Sequence, residues 1–261
     1  MQNKIIELKN VHKSYRNNNS LLNVLNDINL DVSKGEFISI LGPNGCGKTT
    51  LLNLIGGFTS PDKGNLLFNG EQINKPDVRK ITLFQELGLF DWKNVEDNIK
   101  FPLLCQNTSK LEINKRLSSI LELIGLREYS NLYPHQLSGG MKQKISIARA
   151  IINNPEVLLL DEPFAALDPQ TKEFLQEELH SIHLQDNKTI LLVTHDIDEA
   201  IFLSDKIIVL SSRPAKIKNV FKVNMKKPRD PSVRHSKDFL QLKKSIWNCL
   251  REEIQILEVK K

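Results

Sequence analysis

The sequence has little cysteine: its three cysteines, Cys46, Cys105 and Cys249, lie far apart and form no C-x-x-C pair. This pattern argues against a disulfide framework and a zinc site, and it favours a reducing, intracellular compartment. No apolar run approaches the roughly 18 residues of a membrane span. The N-terminal residues MQNKIIELKN contain no apolar core of signal-peptide length. We therefore expect a soluble chain that meets a membrane only through its surface or a partner.

The sequence also lacks an internal repeat and a strong charge imbalance. Its 261 residues allow one large domain, or one domain with an inserted subdomain, and the missing self-similarity argues against a repeat architecture. A formal net charge of +5 most often reflects a solvated surface, with nucleic acid or anionic lipid as alternative partners. With 40% hydrophobic and 26% charged residues, the composition is that of a folded protein and excludes disorder for most of the chain.

Short apolar runs predict strands, and in the second half of the chain they alternate with helical patterns. The predicted strands are IIELKNVHKSY, LLNVLNDINLDV, EFISIL, NLLFNG, ITLFQ, VLLLDEP, TILLVTH and KIIVL. Helices are predicted from Pro169 to His183 and from Ile197 to Leu203. Strands that alternate with helices form a parallel sheet covered on both faces. We therefore expect an α/β fold.

Two further segments have helical patterns. Between about residues 94 and 154, apolar side chains recur at helical spacing and predict an inserted helical subdomain; they are Leu117, Ile120, Leu121, Ile124, Met141, Ile145, Ala148 and Ile152. From Ser212 the chain is predicted to be a polar loop carrying KKPRDPSVRHSKD, and then an amphipathic helix. The apolar stripe of this helix consists of Phe239, Leu242, Ile246, Leu250, Ile254 and Leu257. Such a stripe is typical of a helix that packs on the body, and a partner-binding helix is the alternative.

A glycine-rich loop between a predicted strand and a predicted helix matches the pattern G-x-x-x-x-G-K-[ST]. Its residues are Gly42, Pro43, Asn44, Gly45, Cys46, Gly47, Lys48 and Thr49, followed by Thr50. The glycines allow backbone N–H groups to turn toward phosphate oxygens, and the helix adds its positive end. We expect Lys48 to reach the β- and γ-phosphates and the Thr49 hydroxyl to bind Mg²⁺.

Two acids end the predicted strand VLLLDEP. Asp161 suits a contact to Mg²⁺, with a helix N-cap or an exposed loop acid as the alternative. Glu162 is a candidate general base for the attacking water. His195, at the tip of the strand TILLV, is a candidate contact to the γ-phosphate, because ligands of open α/β sheets collect at this edge. A structural histidine is the alternative there.

The stretch LSGGMKQK, residues 137 to 144, raises a question. Its Ser-Gly-Gly stands at the start of a predicted helix, which is how proteins build anion sites. The chain thus has two phosphate-binding elements for the length of one domain.

These residues together resemble the ATP-binding cassette subunits of ABC transporters. The motifs occur in the order of that family: KSY with Tyr15, the phosphate loop, FQE with Gln85, LSGGMKQ, LLLDEP, ALD with Asp168, and THD with His195. The resemblance covers about residues 4 to 223. It implies a P-loop NTPase of the ABC type over residues 1–223, with a mixed sheet, an antiparallel β subdomain and the inserted helices, and it leaves residues 224–261 as basic loop and packed helix.

The resemblance implies a role for each motif. Tyr15 stacks on adenine, and Gln85 senses Mg²⁺ and water while facing a transmembrane partner; their alternatives are a strand-end aromatic and a surface glutamine. Asp168 signals across a dimer, with a helix cap before Pro169 as the alternative. Ser138, Gly139 and Gly140 bind the γ-phosphate of the nucleotide held by the other subunit. This arrangement explains the two phosphate elements, and it predicts that Ser138 lies far from Lys48 within one chain.

Several stretches are similar to importer ATPases of the nitrate, sulfonate and taurine group, which includes importers of pyrimidine-like precursors. Asp91 stands where that group often has Pro, and Ala215 where it often has Gly. The resemblance implies a homodimer with ATP and Mg²⁺, bound to permease subunits at the cytoplasmic face of the membrane, and served by an extracytoplasmic solute-binding protein. A soluble cassette ATPase acting on nucleic acid or ribosomes is the alternative, supported by the basic residues Lys226 to Lys237.

Overall fold

The computed structural model describes residues 3–17, 20–165 and 167–259, without the side chains of Asn17, Ile254 and residues 256–259. The chain divides into two compact units. The N/C unit comprises Met1–Asp77 and Leu179–Lys261, and the middle unit comprises Val78–Glu178.

The strands are β1 (Lys4–Asn17), β2 (Ser20–Ser33), β3 (Phe37–Leu41), β4 (Lys63–Phe68), β5 (Glu71–Gln72), β6 (Lys80–Leu83), β7 (Val157–Asp161), β8 (Thr189–Val193), β9 (Lys206–Leu210) and β10 (Ile217–Lys222). The α-helices are α1 (Lys48–Gly56), α2 (Val95–Cys105), α3 (Lys110–Leu123), α4 (Gly139–Ile151), α5 (Pro169–Asp186), α6 (Ile197–Leu203) and α7 (Lys237–Val259). Three short 3₁₀ turns cover Arg127–Tyr129, Pro134–Gln136 and Pro231–His235.

The N/C unit contains an antiparallel sheet in the order β2-β1-β4-β5. In its register, Ile6 pairs with Val32 and Leu8 with Leu30, and all four side chains are buried. The alternation of apolar and polar residues in β1 therefore places one face of the sheet against the core.

A second sheet of the N/C unit has the order β10-β9-β3-β8. Strand β3 is parallel to both β8 and β9, and β10 is antiparallel to β9. Every residue of β3 and β8 is buried, as expected of parallel strands covered on both faces. Helix α7 packs on α6 and β9 through the buried side chains of Phe239, Ile246 and Leu250.

The middle unit combines the parallel strand pair β6 and β7 with helices α2, α3 and α4. Its helices share a core of buried side chains that includes Ile99, Leu117, Ile145 and Ile152. Asn94, Ser109 and Ser138 cap the three helices through their side-chain oxygens, which satisfies N–H groups that lack intrahelical partners. Helix α5 begins in this unit and ends in the N/C unit.

The predicted α/β class, with a mixed sheet and an antiparallel β subdomain, is confirmed. The prediction of a loop after Ser212 is wrong in part, because β10 occupies residues 217–222. Its sequence IKNVFK mixes polar and apolar residues and none of them is buried, which suits an edge strand that pairs on one side only. The side chains of Ile254 and Leu257 in the predicted stripe lie outside the described residues. The boundaries at 94, 154 and 223 stay predictions. Among the described helices, none is long and apolar enough to cross a membrane.

Candidate functional site

The glycine-rich loop lies between the end of β3 and the start of α1, as the sequence predicts. Gly45 and Gly47 have φ angles of 72° and 120°, which few side chains tolerate. A Cβ at Gly47 would lie 2.8 Å from Val24 Cγ1 and 2.9 Å from Leu25 Cδ2. Glycine is therefore required at position 47 by both backbone conformation and space.

The donor groups of this loop fit phosphate. The Lys48 side chain is buried, and its Nζ donates to the carbonyl oxygens of Gly42 at 2.9 Å and Pro43 at 3.0 Å. These bonds hold an ammonium group inside the curve of the loop. No side chain caps the N-terminus of α1, whose first N–H groups have no intrahelical acceptor. Such a cluster of N–H groups with one cation suits the oxygens of a nucleotide phosphate.

His195 is placed at the same sheet edge as the glycine-rich loop. In the parallel pair of β3 and β8, Ile40 is the register partner of Val193. The loop begins two residues after Ile40, and the exposed His195 stands two residues after Val193. The carboxyl edge of a parallel sheet is where ligands of such folds bind, so the geometry brings these two predicted elements together.

Tyr15 lies on β1 of the N/C unit and is 40% exposed. The Lys13 ammonium lies 5.3 Å from the centre of its ring, and Lys13 also donates to the carbonyl oxygen of Ser60 at 2.7 Å. The exposed ring has the surface that stacking on a base requires. The stacking role stays a prediction.

In the middle unit, Asp161 is the last residue of β7 and is buried, and Glu162 follows it. Glu162 has a φ of 48°, in the left-handed region that non-glycine residues seldom occupy. Such backbone strain clusters at functional sites, where the surrounding structure holds it. The sequence pattern singled out Glu162, and its unusual backbone is an independent reason to examine it.

Ser138, Gly139 and Gly140 form the start of α4. The Ser138 Oγ accepts from the N–H of Met141 at 3.3 Å, so this serine caps the helix. A Cβ at Gly140 would lie 2.7 Å from Thr171 Cγ2. Thr171 in turn donates its N–H to Asp168 Oδ1 at 3.0 Å. The LSGG motif and Asp168 thus meet at Thr171, a residue that the sequence reasoning missed.

The side chain of Asp168 caps α5, which is the helix-cap alternative considered for it. Hydrogen bonds from Thr171 lower the pKa of its carboxyl group, so the cap is ionised near neutral pH. A capping carboxylate at a helix start is stabilising. Its role across a dimer stays a prediction.

Gln85 is exposed in the loop after β6, and α4 holds this loop. Arg149 donates from its two terminal nitrogens to the carbonyl oxygens of Leu87 and Gly88, both at 2.8 Å. The Ser146 hydroxyl donates to Leu87 O at 3.1 Å. Burial lowers the pKa of Arg149, which still remains charged, as arginine does in proteins. Sequence reasoning missed Arg149 because a basic residue in a helix carries no signal of what it binds.

A cavity of about 290 Å³ opens beside this loop. Its lining is mainly apolar and includes Gly88, Phe90, Phe101, Pro102 and Arg149. The rings of Phe90 and Phe101 lie 4.8 Å apart in an edge-to-face contact. Trp92, which is 74% exposed, lies 5.3 Å from the Phe90 ring. The middle unit therefore presents an aromatic depression close in sequence to Gln85.

Comparisons with known proteins agree with the geometry. The family model of the ABC transporter matches residues 25–165, which is more than half of the chain. The chain is 40% identical over 249 residues to an uncharacterised ABC transporter ATP-binding protein of Methanocaldococcus jannaschii, covering 95% of this chain and 92% of the relative. It is 38% identical over 241 residues to the aliphatic sulfonates import ATP-binding protein SsuB of Bacillus cereus, covering 92% and 94%.

A solved structure is similar over most of the fold. It is a dimeric ATP-binding cassette in a post-hydrolysis state, bound to ADP and Pi. The TM-score is 0.76 at 32% sequence identity, with 85% of this chain and all of the other covered. Together with the phosphate loop, the LSGG helix and the two acids at the end of β7, these matches show that the chain belongs to the ABC transporter family, as one of its ATP-binding ATPase subunits.

Proposed function

We propose that the chain is the ATP-hydrolysing subunit of an importer for a small solute of the sulfonate, nitrate, taurine or pyrimidine-precursor type. The observation that carries the ATPase part is the cradle around Lys48, where glycine conformation, uncapped N–H groups and a buried ammonium converge. The importer part is supported by the similarity to SsuB of Bacillus cereus.

Different groups of the chain would bind different parts of the nucleotide. The phosphate loop, Gly42 to Thr50, holds the phosphates through backbone N–H groups and Lys48, and Tyr15 stacks on the base. Ser138, Gly139 and Gly140 bind the γ-phosphate held by a second copy of the chain. The dimeric state of the similar ATP-binding cassette supports this pairing.

Mg²⁺ is the proposed metal, with the Thr49 hydroxyl, Asp161 and Gln85 as its protein-side contacts. Within the described part of the chain, no group of three or more His, Cys, Asp or Glu side chains could hold a metal ion. A small set of oxygen donors such as Thr49, Asp161 and Gln85 suits Mg²⁺, because this ion binds few protein ligands and keeps waters and phosphate oxygens as its other ligands. When bound, it neutralises charge that develops on the phosphate oxygens.

Hydrolysis would depend mainly on positioning and charge stabilisation. Glu162 accepts a proton from the attacking water, Gln85 orients that water, and His195 donates to the γ-phosphate. Closing the dimer around ATP and reopening it after hydrolysis would shift a bound permease between two states, since the nucleotide binds them with different affinity.

The aromatic depression beside Gln85 is the surface we propose for the permease. Its size, its apolar lining and the exposed Trp92 suit an inserted helix or loop, since such grooves take apolar side chains of a partner. The chain would then lie at the cytoplasmic face of the membrane. A solute-binding protein outside the membrane would select the substrate, which would never touch this chain.

We propose no nucleic-acid partner. The basic segment, Lys226 to Lys237, was the feature that favoured one, and two of its cations, Lys227 and Arg229, are engaged within the N/C unit. Lys227 Nζ lies 2.7 Å from Asp205 Oδ1, and the buried Arg229 donates to the carbonyl oxygens of Ile201 and Phe202. Such charges are poorly placed to neutralise phosphates of a duplex.

Purification of the native complex tests the proposal. We expect the tagged chain to bring down membrane permease subunits, and ATP hydrolysis to rise when the solute-binding protein and a sulfonate, nitrate or pyrimidine-like solute are added. Recovery of the chain with ribosomes or nucleic acid, and without a membrane protein, would refute the transporter assignment.

A further inference from the structure

The turn that carries His195 is built around one buried hydroxyl group. Thr194 precedes His195, and its Oγ1 accepts from the N–H of Asp196 at 3.0 Å. The same hydroxyl donates to Glu199 Oε2. The residues on both sides of His195 are thus joined through a single side chain.

The two side chains of this contact are among the buried polar groups of the N/C unit. Thr194 is 2% exposed and Glu199 is 3% exposed, whereas His195 is exposed. A hydroxyl has one proton and two lone pairs. Because its proton points to Glu199, a lone pair remains for the Asp196 N–H. The carboxyl group therefore sets the orientation of the hydroxyl, and the hydroxyl sets the backbone next to His195.

The turn is also fixed at both ends. The N–H of Thr194 donates to Ile40 O on β3 at 3.3 Å, two residues before the glycine-rich loop begins. On the other side, Asp196 Oδ1 accepts from the N–H groups of Asp198 at 2.9 Å and Glu199 at 3.2 Å and caps α6. His195 is held between the sheet edge and a capped helix.

We propose that Glu199 is a positioning residue for ATP hydrolysis, acting through Thr194 to fix His195 relative to the phosphate loop. The inference rests on the proposed role of His195. Glu199 itself is buried and accepts from the Thr194 hydroxyl, so its proposed effect passes through that side chain. We expect loss of Glu199 to lower kcat, because a small misplacement of His195 at the reacting centre would slow the reaction strongly.

The test measures kcat, KM for ATP and ATP affinity for Thr194→Val and Thr194→Ser. Valine keeps the shape and removes the hydroxyl, so we expect kcat to fall about tenfold or more with KM and affinity within about twofold of the parent. Serine keeps the hydroxyl and should retain most of kcat. Equal losses for serine and valine would contradict the hydroxyl's role.

A matched control is the ion pair between α7 and the first turn of α6. Lys243 Nζ on α7 bonds Asp198 Oδ2 on α6 at 2.7 Å, and the two side chains are 45% and 40% exposed. Since exposed ion pairs contribute little, Lys243→Ala should leave kcat unchanged. Thermal unfolding of each variant identifies losses caused by poor folding. Should the valine variant fail to fold, Glu199→Met, which keeps a similar size and removes the acceptor oxygens, takes its place with the same expected fall in kcat.

The decisive comparison repeats the substitution in His195→Ala. If Glu199 and Thr194 act through His195, Thr194→Val should lower kcat less than twofold further in that background. If the two losses multiply while His195→Ala alone is impaired, the inference is overturned and the role of His195 stands. A normal kcat in His195→Ala would overturn both.

Discussion

The phosphate loop shows how single residues can be required for different physical reasons. Gly47 is required because its φ of 120° and the nearby Val24 leave no room for a Cβ. Lys48 is required for its charge, which the carbonyl oxygens of Gly42 and Pro43 hold inside the loop. The first requirement concerns folding of the loop, and the second concerns what the loop binds.

Lys48→Ala removes the buried ammonium, so we expect ATP affinity to fall at least about tenfold, since a charge-assisted hydrogen bond to an anion contributes about 1.5 to 3 kcal/mol. Titration calorimetry with ATP measures the change. Lys34→Ala, at an exposed position outside the loop, is the control and should bind ATP as the parent does. Unchanged affinity in Lys48→Ala would refute the phosphate role.

His180 gives a prediction about stability and pH. Its imidazole is buried, and burial together with the nearby charges of Lys227 and Arg229 lowers its pKa to about 4. Its Nε2 accepts from the N–H of Arg229 at 3.2 Å, which requires a neutral acceptor. The nearby His183 also lowers the pKa of His180, whereas the negative charge of Asp205 raises it.

A lowered histidine pKa means that the unfolded chain takes up the proton first. Stability should therefore fall as the pH falls from about 6.5 to about 4. From pH 7 to pH 5 the loss due to this group is about 2 kcal/mol. Urea unfolding of the parent and of His180→Gln, which keeps an acceptor for Arg229, measures it. The parent should lose about that much more than the variant over this range; equal losses would contradict the assignment.

At the scale of elements, α4 connects two predicted parts of the site. Its first residues follow Ser138, and its last turn carries Arg149, which bonds the loop that follows Gln85. The guanidinium also lies 5.4 Å from the centre of the Phe90 ring, in the aromatic depression. A permease that reshapes the depression would therefore act on the loop and on the LSGG helix together.

Arg149→Lys keeps the charge but loses the two-pronged contact to Leu87 and Gly88. We expect a loss of about 1 to 3 kcal/mol in unfolding free energy and faster amide exchange over residues 84 to 90. Arg116→Lys is the control, because Arg116 forms a partly exposed pair with Glu112 on α3 and should change stability by less than about 0.5 kcal/mol. Identical exchange in both variants would show that Arg149 does not hold the loop.

Much of the element order could be predicted from periodicity. The helix Ile197–Leu203 matches its prediction, and in the structure the Asp196 side chain caps it. The strand β10 was not predicted, because an edge strand tolerates polar residues and its sequence IKNVFK lacks a regular apolar alternation. Buried Glu253 was also unpredictable: it lies on the packed face of α7 and accepts from the N–H of Ser212 at 2.6 Å.

The residues of the candidate site also fall into predictable and unpredictable groups. Motif residues such as Lys48, Asp161 and His195 were identified because their types and spacing reflect nucleotide chemistry directly. Thr171, which contacts Gly140 and Asp168, and Arg149, which bonds the loop after Gln85, were not identified, because their contacts depend on tertiary structure. Glu199 became visible only once the structure placed its carboxyl group against Thr194.

At the scale of the whole molecule, we propose that two elements with the features of phosphate sites serve an assembly of two chains. One element is the cradle around Lys48 in the N/C unit, and the other is the Ser138 to Gly140 turn in the middle unit. If each serves the nucleotide held by the other chain's cradle, ATP is both the substrate and the link between the two chains. The separation of Ser138 from Lys48 within one chain stays a prediction.

The most direct test is the mass of Glu162→Gln in solution with ATP and Mg²⁺. The substitution removes the proposed general base but keeps the shape, so ATP should bind, turnover should fall by at least about a hundredfold, and the dimer should accumulate. Light scattering after gel filtration should give the mass of two chains with ATP and of one with ADP. A single-chain mass with ATP bound, or near-normal hydrolysis, would contradict the account.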